Sequence, residues 1–384
     1  MNFNYPNKNG STIGIRLMCA IVFLLFSVCW LYYFQAEVLG IVQHELSGGV
    51  TKYHPYIGTL IITGCLFLLH ILIYFISRLN GRTHALTYLP SMLILALMTD
   101  VCLQISKNHI FSISWWLLVL VLVIWLFAVF VARAYQITEK DDSFHFLSRP
   151  MWINLLIMAL MILGVSFVSN TNAVFHYKVM AESKLMKGDY NGALLIGKKS
   201  QESDASLTMI RMYALAKKNR LGDELFRFPV TCKSNQILPT DSLSQLMILP
   251  ADSIYYFLGA RPARKIVPKH YLEILLRKYP KSNKNVIDYL LCCYLIERDL
   301  DNFADKVSKY YTINDNLPKH YREALILYTH MRSHPVVVYH EPVMEEDYSN
   351  LQELEKQYPD FMERKGKVED IYRETYWYYF TYEN

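Results

Sequence analysis

Five stretches in the first 169 residues are long and apolar enough to cross a hydrocarbon layer of about 30 Å, which takes roughly 20 helical residues. They cover residues 14–34, 56–77, 85–105, 112–132 and 150–168. Backbone N–H and C=O groups in lipid must be satisfied within the segment, so each stretch is expected to be a helix. The first follows Lys8 and Arg16, as the apolar core of a signal peptide would. It ends, however, in Trp30, Tyr32, Tyr33 and Phe34, an aromatic belt rather than a small-residue cleavage site, and is expected to stay in the chain as a helix.

Charge divides the sequence at the same place. Residues 1–169 carry nine Lys/Arg and six Asp/Glu, whereas residues 170–384 carry thirty and twenty-eight. The expected organisation is therefore all-α, a five-helix transmembrane region over 1–169 followed by a helical domain over 170–384. The second half is nearly neutral and has no basic footprint for nucleic acid. No zinc spacing joins the seven cysteines; Cys232 could pair with Cys292 or Cys293 only in an oxidising compartment.

Positive residues are retained on the cytoplasmic side of a membrane. With the N-terminus inside, the inner flanks hold Lys8, Arg16, Arg78, Arg82, Arg133, Lys140 and Arg149, against Lys52 and Lys107 outside. Five crossings then put everything after Val168 outside the cytoplasm. Asp100 and His70 are the candidate intramembrane polar sites, because ionisable groups are costly in lipid. Asp100, with Gln104 a turn further on, is expected to be hydrated near the outer interface, and His70 to make one helix–helix hydrogen bond. Pro90 reads as a tolerated kink. In the first outer loop His44, Glu45 and His54 match no metal-ligand spacing, and Ser47-Gly48-Gly49 reads as a turn after a short interfacial helix.

The second half opens with LMKGDYNGALLIGKKSQ, residues 185–201, in which apolar positions at helical spacing flank a Gly188-Asp189-Tyr190 turn. This resembles a tetratricopeptide repeat, in which small residues such as Ala181, Ala193 and Ser200 let two antiparallel helices pack closely. A second unit is read at 207–228, with Ala214 standing 33 residues after Ala181, and a third at 285–310 around Arg298-Asp299-Leu300-Asp301. A further helix is expected over 319–331. Because each hairpin buries its apolar face only against neighbours, the array is expected to be a degenerate α-solenoid that binds protein partners.

Between the second and third units a proline-rich stretch leads, through a short helix at 252–258, into a basic run. From Arg261, Arg264 and Lys265 to Lys284 it holds eight Lys/Arg and one acid, Glu273. Residues 341–370 hold ten acids and four bases. The basic run could face lipid headgroups or an acidic partner; the blander expectation is that the two runs complement each other or are solvated. His330 and His334 are four apart, but Pro335 ends the helix there, and no metal or other cofactor is expected. The closing DIYRETYWYYFTYEN, with Tyr376 and Trp377 at its centre, is expected to be enclosed or to meet a membrane or partner.

Taken with the apolar segments and Ser47-Gly48-Gly49, the stretches DYLLCCYLIERDLDNFAD, LPKHYREALILY and ETYWYY resemble a family of uncharacterised bacterial integral-membrane proteins with a repeat-like outer tail. That resemblance implies architecture and brings no catalytic residues. With no nucleophile elbow, phosphate loop or zincin motif, the expected role is an integral membrane protein presenting an extracytoplasmic interaction domain in a cell-envelope assembly. The alternative is a membrane-embedded transferase acting on a lipid-linked or envelope glycan, which would need Asp100, His70, His44 and Glu45 to converge.

Overall fold

The structure, a computed structural model, describes residues 8–79, 81–106, 109–111, 115–138, 149–239, 246–279 and 284–383. Lys107, Lys140 and Lys281 lie outside the described residues, as do the side chains of Lys8 and Gln104. The fold is all-α, and the chain divides into two compact units, Met1–Asn172 and Ala173–Asn384.

The first unit contains α1 (Lys8–Cys29), continued by a π-helical turn over Trp30–Phe34, then α2 (Ala36–Ser47) and α3 (Pro55–Ser77). A 3-10 segment, Gly81–Tyr88, runs into α4 (Leu89–Thr99). Next come a small antiparallel hairpin, β1 (Val101–Ser106) and β2 (His109–Phe111), then α5 (Trp115–Thr138) and α6 (Arg149–Val168). Among the described residues, four helices are long and apolar enough to cross a membrane: Ile13–Phe34, Pro55–Ser77, Trp115–Ala134 and Arg149–Val168. Their outward faces are apolar, with Phe167 91%, Leu60 75% and Phe130 72% exposed. Such surface suits lipid and not water.

The expected third helix, 85–105, is built differently. The α-helix covers only Leu89–Thr99, and the chain is 3-10 before it and strand after it. Pro90 explains the start, since a residue without N–H fits only the first helical turn; it opens α4 rather than kinking it. The whole rod from Gly81 to Thr99 nevertheless lies along α6. Asn154 Oδ1 accepts from Ala85 N at 2.7 Å and Asn154 Nδ2 donates to Gly81 O at 2.8 Å. At the far end Thr99 Oγ1 lies 2.6 Å from Ser169 Oγ, and Asn170 N donates to Thr99 O at 2.8 Å. Eight 3-10 residues at about 2.0 Å rise and eleven α-residues at about 1.5 Å span roughly 32 Å, a membrane thickness.

The unit thus has two ends. At one, the Arg16 guanidinium lies 4.7 Å over the Tyr74 ring, near the close of α3 and its Arg78. At the other, Gln35 donates to Asn170 O and Asn170 donates to Val101 O. The Ser47-Gly48-Gly49 turn closes α2 as the sequence suggests: Gly48, at φ 60°, donates to Glu45 O and Gly49 to His44 O.

The second unit contains α7 (Ala173–Met186), α8 (Tyr190–Leu195), α9 (Ala205–Lys217), α10 (Leu221–Glu224), α11 (Asp252–Leu258), α12 (Pro268–Lys278), α13 (Lys284–Ile296), α14 (Leu300–Tyr310), α15 (Lys319–Met331), α16 (Pro342–Gln357), α17 (Phe361–Tyr372) and α18 (Tyr376–Tyr382). Most helices pack on the next in sequence. Both α7 and α8 rest on α9, and α18 folds back onto α15.

One turn recurs three times. After α7, α9 and α13 a left-handed residue, Gly188, Asn219 or Arg298, donates to the carbonyl three residues back. The following N–H donates to the carbonyl five back. This double closure satisfies the last carbonyls of each helix and reverses the chain. Asp189 and Asp299 then cap the next helix with identical backbone angles, accepting from Gly192 N and Asn302 N. A side chain at Gly192 would collide with the Asp189 carboxylate. The second helices are uneven, six residues in α8 and four in α10 against eleven in α14. In the first hairpin α8 stops where Ile196 turns extended and Gly197 takes φ 62° against the Tyr177 ring.

Candidate interaction surfaces and buried polar sites

Within the first unit, His70 is buried and stacks on Tyr88 with ring centres 3.6 Å apart. Its Nδ1 lies 3.1 Å from Thr87 Oγ1, and His84 stands edge-on to both rings. The expected single hydrogen bond is thus part of an aromatic cluster from the 3-10 segment, which a reading of 85–105 as plain helix hides. Asp100 is also buried, at the C-cap of α4, where water had been expected around it. It belongs to the Asn170 end, whereas His70 lies two turns from the end of α3 on the Arg16 side. His44 and Glu45 sit in the last turn of α2. These contacts do not bring the four residues of the transferase reading together.

In the second unit Arg264 and Lys265 are exposed, on the turn before α12, and the exposed Arg261 pairs with Asp252 at 2.9 Å. Lys269 pairs with Glu297, while in the acidic run Glu341 pairs with Arg322 and Glu345 with His340. In these pairs each run is partnered by other segments, not by the opposite run. The histidines of 330–340 serve different contacts: His330 packs on Tyr348, and His340 is the exposed partner of Glu345.

Tyr376 and Trp377 are core residues, 0% and 3% exposed, and so are not an interaction surface. Tyr376 N donates to Glu323 Oε2 and Trp377 Nε1 to Glu323 O, both at 2.8 Å, and Tyr376 Oη reaches Leu295 O. Seven residues suffice for α18 because five of its six aromatic rings are buried and their polar ends find acceptors inside.

Three buried carboxylates, which no local pattern announces, tie segments of the second unit together. Glu182 of α7 accepts from the N–H groups of Met247, Ile248 and Leu249 at 2.7–3.1 Å, fixing an irregular segment 65 residues away. Burial pushes its carboxyl above the usual range, opposed by those N–H groups and by Lys178. Asp288 of α13 accepts from Tyr311 at 2.5 Å and Tyr321 at 3.0 Å, and burial raises it too. Glu323 of α15 joins His320 at 2.9 Å, and His320 Nε2 accepts from Phe226 N. Arg211 of α9 ties back the end of the first hairpin by donating to Gly197 O; burial lowers it to about 10. Cys232, Cys292 and Cys293 are buried free thiols, and burial pushes Cys232 up to about 12.

Two of the pockets lined by described residues lie on the second unit. One, of about 620 Å³, is polar and mixed in charge, with Lys319, Arg373, Glu369, Asp370 and Glu374 in its walls. The other, of about 430 Å³, lies over α13 between α12 and α14. Leu276, Leu290 and Tyr310 line it together with Arg277, Lys306, Lys309 and Glu273.

Residues 266–383 match a family model described as a family of unknown function, DUF6057. No match was found among curated proteins or among solved structures. The similarity spans α12 to α18, so the helices it covers include the 430 Å³ pocket, the Asp288 and Glu323 sites and the aromatic closure. The chain is a membrane protein by its apolar helices, and the matched family carries no activity to transfer.

Proposed function

We propose that this chain is a membrane-anchored interaction protein: a transmembrane region over 1–169 holds a tetratricopeptide-like array, residues 170–384, outside the cytoplasm, where it docks a protein partner in a cell-envelope assembly. The observation carrying this reading is the turn repeated after α7, α9 and α13, with its Asp caps at Asp189 and Asp299. Hairpins closed alike and packed in series form the kind of scaffold that binds extended segments or protein surfaces.

The two ends of the first unit support this topology. Counting the Gly81–Thr99 rod beside α6 as a crossing makes five, and the chain then leaves for Ala173 from the end opposite Arg16. Arg16, Arg78, Arg82 and Arg149 gather at the first end and Lys52 belongs to the other, which favours a cytoplasmic N-terminus in an inner membrane and a periplasmic or equivalent outer array. Photo-crosslinking in cells from Val336 and Met362, exposed on the array in the full-length chain, tests the docking role. One recurring protein adduct is expected; crosslinks to no discrete partner would overturn it.

A further inference from the structure

Arg277 of α12 and Lys306 and Lys309 of α14 line a pocket rather than facing open solvent alone. Leu276 and Leu290, 5% and 2% exposed, form an apolar floor with the Tyr310 ring beside it. Arg277, Lys306 and Lys309 stand around this floor. The one carboxylate in the lining, Glu273, already accepts from Tyr294 Oη at 3.3 Å and lies 3.8 Å from His270 Nδ1. Lys306 holds Asp305 outside the lining at 2.9 Å. The pocket therefore combines a positive balance with a guanidinium, which binds phosphate oxygens in a fork, two ammonium groups, and an apolar floor.

We propose that this pocket binds the phosphate of an anionic membrane lipid, with Arg277, Lys306 and Lys309 as phosphate ligands and Leu276, Leu290 and Tyr310 against the glycerol and first acyl carbons. The lipid assignment rests on membrane anchoring of the chain: α6 ends at Val168 and α7 starts at Ala173, so the array cannot diffuse away from the bilayer surface. Exposed Val267 and Tyr279 at either end of α12 add apolar groups of the kind that settle among headgroups. Bound lipid would orient the array on the bilayer and set which surface remains for a protein partner.

The test is hydrogen exchange of the full-length chain in neutral detergent, titrated with short-chain phosphatidylglycerol, with short-chain phosphatidylcholine, and separately with inorganic phosphate. Phosphatidylglycerol is expected to protect Pro268–Lys278 and Leu300–Tyr310 at the lowest concentration. Each basic residue near an anionic headgroup is worth about fivefold in binding, so R277Q/K306Q/K309Q is expected to raise the midpoint by roughly a hundredfold. Glu273→Gln, which removes the opposing carboxylate, is expected to lower it, giving a second readout that does not depend on the triple variant folding. Equal protection by the neutral lipid, or a midpoint unmoved by both variants, would overturn the proposal. Protection by inorganic phosphate alone would reassign the pocket to a soluble anion and leave the docking role of the array standing.

Discussion

The two units place their apolar and polar groups in opposite ways. In the first, large apolar side chains such as Leu60, Phe130 and Phe167 point outward, while polar side chains join its elements on the inside, at Asn154, at Ser91 and Leu66, and at Thr99, Ser169 and Asn170. In the second, Leu, Tyr and Phe fill a continuous core and most exposed positions are polar. Helices in lipid gain nothing from hiding Leu, so polar bonds and close packing must select their neighbours. In water the core supplies the drive, and buried carboxylates such as Glu182 act as pins where backbone needs an acceptor.

The largest expected effect breaks such a pin. Glu182→Ala would remove the acceptor of three N–H groups, that of buried Leu249 and those of half-buried Met247 and Ile248, and leave a cavity in place of a fully buried side chain, for a loss on the order of 3 kcal/mol or more from the second unit. Denaturant unfolding of the full chain measures it. Glu182→Gln keeps an acceptor and is expected to cost far less, and it also tests the raised carboxyl. A raised folded value means the ionised form is disfavoured in the fold. The associated stability is complete below the unfolded value of about 4.3 and is lost as pH rises through the folded one. Between those two values the stability–pH slope is therefore expected to be shallower in the Gln variant.

A smaller effect contrasts the two exteriors. Ile124 in the middle of α5 is 58% exposed and Val336 in the second unit 80%. Ile124→Arg is expected to cost about 2.5–3.5 kcal/mol of membrane integration, and Val336→Arg to stay within about 0.5 kcal/mol of stability. A membrane-integration assay and a thermal melt read the pair; equal tolerance of both changes would erase the contrast. The smallest effect sharpens the repeated turn. Asp189→Ala and Asp299→Ala each remove a helix cap and are expected to cost roughly 1 kcal/mol, by thermal unfolding, and by the same amount if the two turns are equivalent.

What could be read from the sequence follows from the range of each signal. A 20-residue apolar run is a local property, so 14–34, 56–77, 112–132 and 150–168 were legible, as were the Gly188-Asp189 and Arg298-Asp299 turns. The segment 85–105 was not, because hydropathy does not distinguish a 3-10 rod from an α-helix and Pro90 fits either reading. Glu182, Asp288 and Glu323 were invisible because their meaning lies in partners 23 to 67 residues away. The aromatic C-terminus was legible as a boundary element, but only the acceptors Glu323 and Leu295 decide that Tyr376 and Trp377 face inward.

The central claim is that the Gly81–Thr99 rod crosses the layer beside α6, so that the chain passes from a cytoplasmic N-terminus to an array on the far side. Paired reporters at the C-terminus of the full-length chain test it directly, alkaline phosphatase for the outer compartment and a cytoplasm-dependent fluorescent protein for the inner. The expected result is an active phosphatase and a dark fluorophore. A fluorescent fusion with inactive phosphatase would mean an even number of crossings or an outer N-terminus, and would contradict the passage from a cytoplasmic N-terminus to an outward array.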